Sequence, residues 1–355
     1  MKLGVFLPNW VGDVCMAIPA LRSLRQNCPS GTEIVAIGRP VARMVLQDQP
    51  PKKPWVDRYL VYKAKAKPPL LNRRSLVVAL RREKFDAILL LTNSLGTAAM
   101  AALSGSPRRI GYNRDGRGWL LTDRIAVERR NGELLPVPAI QYYSKVIEAF
   151  TGQSITDFRM GLHTPEVYFK QATDFFRSIG FVDSTPTLVI NNNAASSIGR
   201  LVPEDILQKL CQRIVEETQF QVLLHGGPAE REQPARIVAA VANRRVQSMS
   251  DWKDLPLGLS QAILERAAIV VTTDSGIRHM AVALDRPVIT VYGATDPRWT
   301  VTFNEPEVAI EPTVACHPCW KDKCPLQLVS QQYQCVKQLS LDRVMSAIQS
   351  IAHRS

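Results

Sequence analysis

The sequence predicts an α/β protein made of two doubly wound domains, each a parallel sheet with helices on both faces. Short apolar runs alternate with helical patterns in both halves of the chain, as expected for parallel strands joined by helices. The 355 residues exceed one typical core and suit two domains. Hydrophobic residues make up 46% of the chain and charged residues 21%, so most of the chain should be folded.

Four apolar runs in the first half predict buried strands that lead through loops into helical patterns. These strands span residues 3–7, 33–37, 85–91 and 109–112, and later helical patterns include residues 41–47 and 137–150. The first helical pattern follows Asp13. Pro19 lies inside this pattern, so the helix should either start later than Asp13 or kink.

The second half repeats the architecture. Its predicted strands span residues 187–190, 220–224, 268–271 and 288–292, and residues 339–352 predict an amphipathic helix. Between the halves, residues 152–164 are polar and rich in turn formers, which predicts a linker. We therefore expect an N-terminal domain at residues 1–165, a C-terminal domain at 166–335 and a C-terminal helix within 336–355.

The formal net charge of +12 at pH 7 favours an anionic partner. Nucleic acid, an anionic membrane surface and a phosphorylated small molecule all fit this charge, which alone does not choose among them. Many of the basic residues lie in the first half, where they suit an anionic acceptor or simply a solvated surface: Arg22, Arg25, Arg39, Arg81, Arg82, Lys84, Arg108, Arg109, Arg114 and Arg117.

The apolar runs are too short to cross a membrane. Runs such as residues 87–91 and 267–271 fall far short of the ~20 residues that a bilayer requires. Pro8, Asn9 and Gly12 interrupt any signal-peptide pattern at the N-terminus. We expect a cytoplasmic protein, whose seven cysteines are thiols or metal ligands rather than disulfides.

The loop after the strand at 268–271 has the composition of a phosphate-binding turn. In open α/β sheets, ligands bind at the carboxyl ends of the strands. Ser275 offers a hydroxyl and Gly276 lets a ligand approach the N-terminus of the helix predicted at 277–284, where a pyrophosphate would fit. Asp274 would repel phosphate and is better suited to cap the helix or to accept a sugar hydroxyl. The alternative for the whole loop is an ordinary helix cap.

Two further residues lie at helices beside such loops. Asp13, at the mouth of the first helix, would be stabilised as an anion by roughly 0.3–1 kcal/mol and could accept a proton, or it could be an N-cap. His279, one turn into the helix at 277–284, could reach a ligand or could be a helix-face histidine with its partners inside the protein.

Polar residues after two other strands could also bind a nucleotide. Arg200 could grip a phosphate bidentately, with Ser196 and Ser197 close by; the alternative is a solvated loop arginine. Glu230 could accept hydrogen bonds from a ribose diol, or it could be a carboxylate in the first turn of a helix.

Four cysteines have a spacing that suggests a metal site. Cys316, Cys319, Cys324 and Cys335 form the pattern C-x2-C-x4-C-x10-C, which is compatible with structural zinc although it is not a standard zinc ribbon. The alternative is a set of free thiols packed under a loop. The remaining cysteines are interpreted as isolated core residues: Cys15, Cys28 and Cys211.

The opening residues 8–13 contain Trp-Val-Gly-Asp, residues 273–279 contain D-S-G-x-x-H, and residues 291–297 contain a tyrosine–glycine segment. These three motifs together resemble those of glycosyltransferase family 9, the ADP-heptose:lipopolysaccharide heptosyltransferases. The cysteine cluster also resembles one seen in some members. The similarity extends over most of the chain.

The resemblance implies a GT-B fold, in which two Rossmann-like domains face a central cleft. The N-terminal domain would bind the acceptor and the C-terminal domain an ADP-sugar, while the C-terminal helix would cross back to the first domain. Asp13 would be the general base, Glu230 would bind the nucleoside, and three residues would hold the donor: Asp274, Gly276 and His279.

The implied reaction is an inverting, metal-independent transfer of a heptose or related sugar to a hydroxyl of the lipopolysaccharide inner core. A phosphorylated core lipid would suit the positive charge and would bring the protein into peripheral contact with the inner membrane surface. The sequence departs from the family where Lys-x-Trp-Pro is usual. Arg200 stands at the position of the phosphate-binding lysine and Val202 at that of the tryptophan, after an Asn-rich loop instead of Pro-Gly-Ala.

Three other functions remain as alternatives. A nicotinamide-dependent dehydrogenase is disfavoured because no G-x-G-x-x-G follows the first strand. A sugar-nucleotide epimerase could share the fold but would need no acceptor. A non-catalytic, zinc-containing nucleic-acid binder is suggested by the charge and the cysteines. The basic residues form no compact run with interleaved aromatics, so we expect no nucleic-acid partner.

Overall fold

The computed structural model describes residues 1–47, 49–65, 70–193, 197–304 and 306–353. The chain divides into two compact units. The first comprises Met1–His163 and Arg298–Phe303, and the second comprises Thr164–Pro297 and Asn304–Ser355. The first change of unit falls two residues before the end of the predicted N-terminal domain. The short return of the chain to the first unit at Arg298–Phe303 is not part of the prediction.

The first unit contains a six-stranded, fully parallel sheet in the order β3-β2-β1-β4-β5-β6. Its strands are β1 (Lys2–Phe6), β2 (Glu33–Gly38), β3 (Arg58–Val61), β4 (Ala87–Leu90), β5 (Arg108–Tyr112) and β6 (Asp123–Ile125), and a short antiparallel hairpin follows with β7 (Arg129–Arg130) and β8 (Glu133–Leu134). The central strands are almost fully buried because helices lie against them.

In the described part of the first unit, the helices are α1 (Val11–Met16), α2 (Ile18–Asn27), α3 (Pro40–Leu46), α4 (Arg73–Glu83), α5 (Leu95–Leu103) and α6 (Ala139–Thr151). The expected disturbance near Pro19 is confirmed. Helix α1 ends at Met16 and α2 starts at Ile18, so that Pro19 lies in the first turn, where its missing N–H has no partner to lose.

The second unit repeats the sheet in the order β11-β10-β9-β12-β13-β14, again fully parallel. Its strands are β9 (Thr187–Asn191), β10 (Gln221–His225), β11 (Val246–Ser248), β12 (Ile269–Thr273), β13 (Val288–Val291) and β14 (Glu307–Ile310). Its helices are α7 (Glu166–Ser178), α8 (Glu204–Glu217), α9 (Glu232–Val241), α10 (Leu257–Glu265), α11 (Gly276–Ala283), α12 (Gln334–Lys337) and α13 (Leu341–Ala352).

The apolar face of the C-terminal helix, α13, lies in the core of the second unit. The buried face of α13 carries Val344, Met345, Ile348 and Ile351, which belong to the hydrophobic core of the second unit. These residues recur at helical spacing and lie against β13 and β14. The apolar face of α13 therefore completes the core of its own unit, and packing of this helix on the N-terminal domain stays a prediction.

Within the described ranges, none of the helices is both long and apolar enough to cross a membrane.

Candidate active site

The order of the strands places a ligand-binding position in each unit. In doubly wound sheets, ligands bind outside the carboxyl ends of the strands, where the strand order reverses. This point lies between β1 and β4 in the first unit and between β9 and β12 in the second. Asp13 follows β1, and the loop at 273–276 begins at the last residue of β12. Both predicted motifs therefore lie where the strand order reverses.

Asp13 is the third residue of α1 and is half-buried. The hydroxyl of Tyr143, on α6, donates a hydrogen bond of 2.7 Å to Oδ1 of Asp13. Burial, together with the charge of Asp13, holds the pKa of Tyr143 well above its usual value, so the phenol remains a donor. Tyr143 thus fixes one carboxylate oxygen. The sequence gives only a helical pattern at this position and did not identify the tyrosine.

A buried arginine braces the same end of the first sheet. Arg117 is fully buried, and its Nε donates to the carbonyl oxygen of Tyr112 at 3.0 Å and its Nη2 to Oδ1 of Asn93 at 3.2 Å. Its Nη1 donates to the carbonyl oxygen of Thr92. Burial lowers the pKa of Arg117. These bonds hold the loop after β4 in one conformation.

In the second unit, the N-terminus of α11 has the features of an anion site. Ser275 precedes the helix, and its side chain makes no capping hydrogen bond within the described residues. The first turn therefore presents backbone N–H groups and the positive end of the helix dipole. Nη1 of Arg200 donates to the carbonyl oxygen of Asp274 at 3.2 Å, so its guanidinium lies beside this turn. The structure thus brings Arg200, Ser275 and Gly276 together.

Asp274 is neither a helix cap nor an exposed ligand. Its side chain is almost fully buried, and Oδ1 accepts a hydrogen bond from Nη1 of Arg278 at 2.9 Å. Nε of Arg278 donates to Oε1 of Glu307 at 2.6 Å. Burial alone would raise the pKa of the Asp274 carboxyl, but the charge of Arg278 holds it below its usual value. The carboxylate is ionised and neutralised inside the protein.

His279 lies next to this ion pair. Its side chain is buried, and its Nε2 is 4.0 Å from Oδ1 of Asp274. Nδ1 of His279 has no hydrogen-bond partner within the described ranges. Burial and the nearby charge of Arg278 lower the pKa of His279 to about 4, so the ring is neutral at pH 7. The interpretation of His279 as a helix-face histidine with internal partners is thus only partly met.

A polar network that the sequence analysis missed supports Ser275. Nδ2 of Asn191, the last residue of β9, donates to the hydroxyls of Thr272 and Ser275 at 3.0 and 3.1 Å. Nδ1 of His225 lies 3.2 Å from Oδ1 of Asn191. Because Asn191 Oδ1 is an acceptor, His225 carries its proton on Nδ1. The side chains meet because β10, β9 and β12 are neighbours in the sheet.

The Tyr-Gly segment after β13 touches the loop that carries Arg200. The N–H of Ala294 donates to the carbonyl oxygen of Gly199 at 3.1 Å. A β-carbon at Gly293 would overlap that same oxygen, so the close approach of the two loops requires glycine. The N–H of Gly199 in turn donates to the carbonyl oxygen of Asp322, at 3.0 Å, in the cysteine-containing segment.

The remaining donor-site candidates have different positions. Glu230 precedes α9, and its Oε2 accepts a hydrogen bond of 3.0 Å from the N–H of Gly227. It is therefore not a first-turn helix carboxylate. Ser197 is buried and its carbonyl oxygen accepts from the N–H of Arg200 at 3.2 Å. Ser196 lies outside the described residues.

The four cysteines of the predicted zinc site belong to the second unit. Burial raises the pKa of Cys335, and so do the charges of the other three thiols: Cys316, Cys319 and Cys324. Among the residues that the structure describes, no group of three or more potential ligands is arranged to hold a metal ion. The zinc site stays a prediction from the spacing. Of the cysteines interpreted as core residues, Cys15 and Cys211 are buried, whereas Cys28 is only half-buried.

The family model of glycosyltransferase family 9 (heptosyltransferase) matches residues 73–330. The chain belongs to glycosyltransferase family 9. The resemblance seen in the motifs is thereby confirmed. Family membership also favours a transferase over the dehydrogenase, epimerase and nucleic-acid-binding alternatives.

Individual relatives agree with this assignment. Lipopolysaccharide heptosyltransferase 2 of Escherichia coli (strain K12) is 26% identical over 305 residues, which cover 84% of this chain and 85% of that protein. The structure of E. coli ADP-heptose lps heptosyltransferase II matches 100% of this chain and 99% of its own with a TM-score of 0.75 and 20% identity. An E. coli heptosyltransferase with ADP-2-deoxy-2-fluoro heptose matches 99% of both chains with a TM-score of 0.69 and 17% identity. This chain shares the fold of both solved structures, which confirms the predicted GT-B fold class.

The two buried histidines predict a pH dependence of stability. Burial lowers the pKa of His225 and of His279 to about 4, below the ~6.5 of an unfolded histidine. As pH falls from about 6.5 to 4, the unfolded chain binds protons first, so the free energy of unfolding should fall by up to about 3 kcal/mol per histidine. Above pH 6.5 this contribution is fully present.

Urea unfolding at intervals between pH 7.5 and 4.5 measures the slope of the free energy of unfolding against pH. In His225→Gln the slope should be shallower than in the wild type, while His353→Gln, at an exposed position of the C-terminus, should follow the wild type. Parallel curves for all three proteins would contradict the assignment of a buried neutral ring to His225.

Proposed function

We propose that the chain is an inverting glycosyltransferase that moves a heptose or related sugar from an ADP-sugar to a hydroxyl of the lipopolysaccharide inner core. The observation that carries this proposal is the pairing of the α11 N-terminus with the guanidinium of Arg200 in a family 9 chain. This arrangement suits a diphosphate, because both groups are positive and both donate hydrogen bonds. The names of the relatives supply the heptose and the lipopolysaccharide.

In the proposed reaction, an acceptor hydroxyl attacks the anomeric carbon from the face opposite the diphosphate. A new C–O bond forms, the bond to the phosphate oxygen breaks, and its electron pair leaves with ADP. Attack from the opposite face inverts the anomeric centre. Asp13 takes the acceptor proton, with one of its oxygens held by Tyr143. Arg200 and the first turn of α11 stabilise the charge on the leaving diphosphate, and no step requires a metal.

The other donor-site residues have roles that follow from their contacts. Ser275, held by Asn191, is proposed to donate its hydroxyl to the diphosphate. Gly276 is proposed to let the diphosphate reach the backbone. Asp274 and His279 are buried, so we assign them to shaping this turn rather than to touching the sugar. Glu230 is half-buried in the turn after β10 and is proposed to bind the ribose diol.

We also propose peripheral contact with an anionic membrane surface, where a lipid-linked acceptor would lie. The net charge of +12 supports this attraction. Two tryptophans after strands of the first sheet, Trp10 and Trp119, are 61% and 72% exposed. A highly exposed tryptophan is unusual on the surface of a soluble protein. Its side chain is well suited to the boundary between lipid head groups and water.

Replacing the proposed base tests the chemical step. Asp13→Asn keeps the size of the side chain and its hydrogen bond from Tyr143 but removes the proton acceptor. Turnover should fall by roughly 10²–10⁴-fold, while binding of an ADP-sugar stays near the wild-type value. Tyr143→Phe should lower kcat by about tenfold without changing the KM for the donor, because only the orientation of the base is lost. Near-normal turnover of Asp13→Asn would exclude Asp13 as the base.

Replacing the proposed phosphate ligand tests the donor site. Calorimetric titration with ADP-heptose, ADP-glucose, UDP-sugars and NAD identifies the donor. Arg200→Ala should weaken ADP-sugar binding by about ten- to a hundredfold, because it removes a charged hydrogen-bond donor. The matched control is Arg177→Ala, an exposed arginine of the same unit, which should bind like the wild type. Binding of UDP-sugars alone would keep the fold and overturn the heptosyl proposal.

The cysteine cluster is proposed to bind structural zinc. Elemental analysis of the purified chain should find about one zinc per molecule, since four thiolates make up a closed structural site. Cys319→Ser should lose this metal, whereas Cys28→Ser, outside the cluster, should retain it. Equal metal content in the two variants, or none in the wild type after expression with added zinc, would leave the cysteines as packed thiols.

A further inference from the structure

The first unit contains a cavity of about 330 Å³ that the proposed reaction does not use. Residues of β5, β6, β8 and α6 line it, together with the segments that flank them. Trp299, from the short segment Arg298–Phe303 that belongs to this unit, forms part of its wall. Asp13 is not among the residues that line the cavity, so the space is separate from the proposed base.

Flat aromatic side chains supply much of the wall. The rings of Tyr112 and Tyr142 are stacked, with centroids 3.7 Å apart and planes 10° apart, and both line the cavity. Phe158 and Trp299 add two further aromatic surfaces. The ring of Phe158 is itself held by that of Phe303, 5.0 Å away. These fixed rings offer apolar faces to which the C–H side of a small ring can pack.

Charged groups of both signs complete the wall. Arg114 and Lys145 contribute positive charges, and Glu128 and Glu148 contribute negative ones, so the formal charges of the lining cancel. Nζ of Lys145 lies 3.1 Å from Oε2 of Glu148. Nε of Arg114 is paired with Asp115 at 3.0 Å. Because the cations already have counter-charges, the cavity does not select a phosphate or another anion.

The combination of surfaces selects among ligand classes. An acyl chain would desolvate four charged groups without giving them hydrogen bonds, which is unfavourable. A nucleoside diphosphate would meet two carboxylates. A neutral sugar ring places its C–H face on the aromatic rings and its hydroxyls against Glu128, Glu148 and the amide of Gln141. A volume near the lower end of the ~300–1,000 Å³ typical of ligand pockets suits a single such ring.

We propose that this cavity is a subsite for a neutral sugar residue of the acceptor, an inference that rests on the proposed transferase function. One tyrosine pair connects it to the proposed base. The ring of Tyr142 meets that of Tyr143 edge to face, with centroids 6.2 Å apart, and Tyr143 donates to Asp13. A sugar bound in the cavity therefore lies against Tyr142, and the adjacent Tyr143 holds the proposed base, Asp13.

Ligand-observed saturation-transfer NMR on the full chain tests binding directly. The probes are methyl α-glycosides of glucose, galactose and mannose, with sodium octanoate as an acyl probe. At least one glycoside should receive saturation from the wild type and bind about tenfold more weakly to Gln141→Leu and to Glu128→Ala. The control Glu133→Ala removes an exposed glutamate of the β7–β8 hairpin that does not line the cavity, and this variant should bind like the wild type.

Transfer assays separate this proposal from the proposed function. With a lipopolysaccharide-core acceptor, both cavity variants should raise the acceptor KM about tenfold, while kcat and the donor KM stay within about twofold of the wild type. If the wild type transfers no sugar but the variants still lose glycoside binding, the transferase proposal is overturned and the sugar-binding site remains. Three results would overturn the sugar subsite. The first is transfer with an unchanged acceptor KM in both variants, and the second is equal glycoside binding by all proteins. The third is octanoate binding by the wild type that the variants lose.

Discussion

The buried guanidinium of Arg278 is the constraint on which the second unit's candidate site depends. It is 2% exposed and bonds Asp274 at one end and Glu307 at the other. This one cation thus joins the loop after β12, the first turns of α11 and the edge strand β14. Breaking such a buried pair from one side typically costs about 3–5 kcal/mol, since the remaining charge is left without a partner. The position of the α11 N-terminus is therefore set by this pairing.

This pairing also keeps the negative charge of the aspartate in the D-S-G-x-x-H motif away from any phosphate. A carboxylate at the start of α11 would repel a diphosphate if it faced the ligand. Because Arg278 neutralises Asp274 inside the protein, the repulsion is removed while the backbone N–H groups of the turn and the guanidinium of Arg200 remain positive. The motif's aspartate is best explained as a residue that shapes the proposed anion site.

The sequence predicted the inner strands and missed the edges, and the reason is burial. The eight inner strands were all located within two residues of their ends, because their near-continuous apolar runs reflect burial on both faces. The four edge strands were not identified: β3, β6, β11 and β14. Each has three or four residues and is partly exposed, so it lacks the burial on both faces that marks the inner strands.

The site could be predicted only where its residues are adjacent in the chain. The turn at 273–276 and Asp13 were found because helix-start signals are local, whereas Tyr143, Asn191 and His225 act through contacts that depend on strand order. The same limit applies to the departure from Lys-x-Trp-Pro. The side chain of Asn192 bonds both the N–H and the carbonyl oxygen of Val202, at 2.9 and 3.0 Å. The Asn-rich loop therefore fixes the backbone just beyond Arg200. This bracing explains how the segment keeps a defined position with valine where the family has tryptophan.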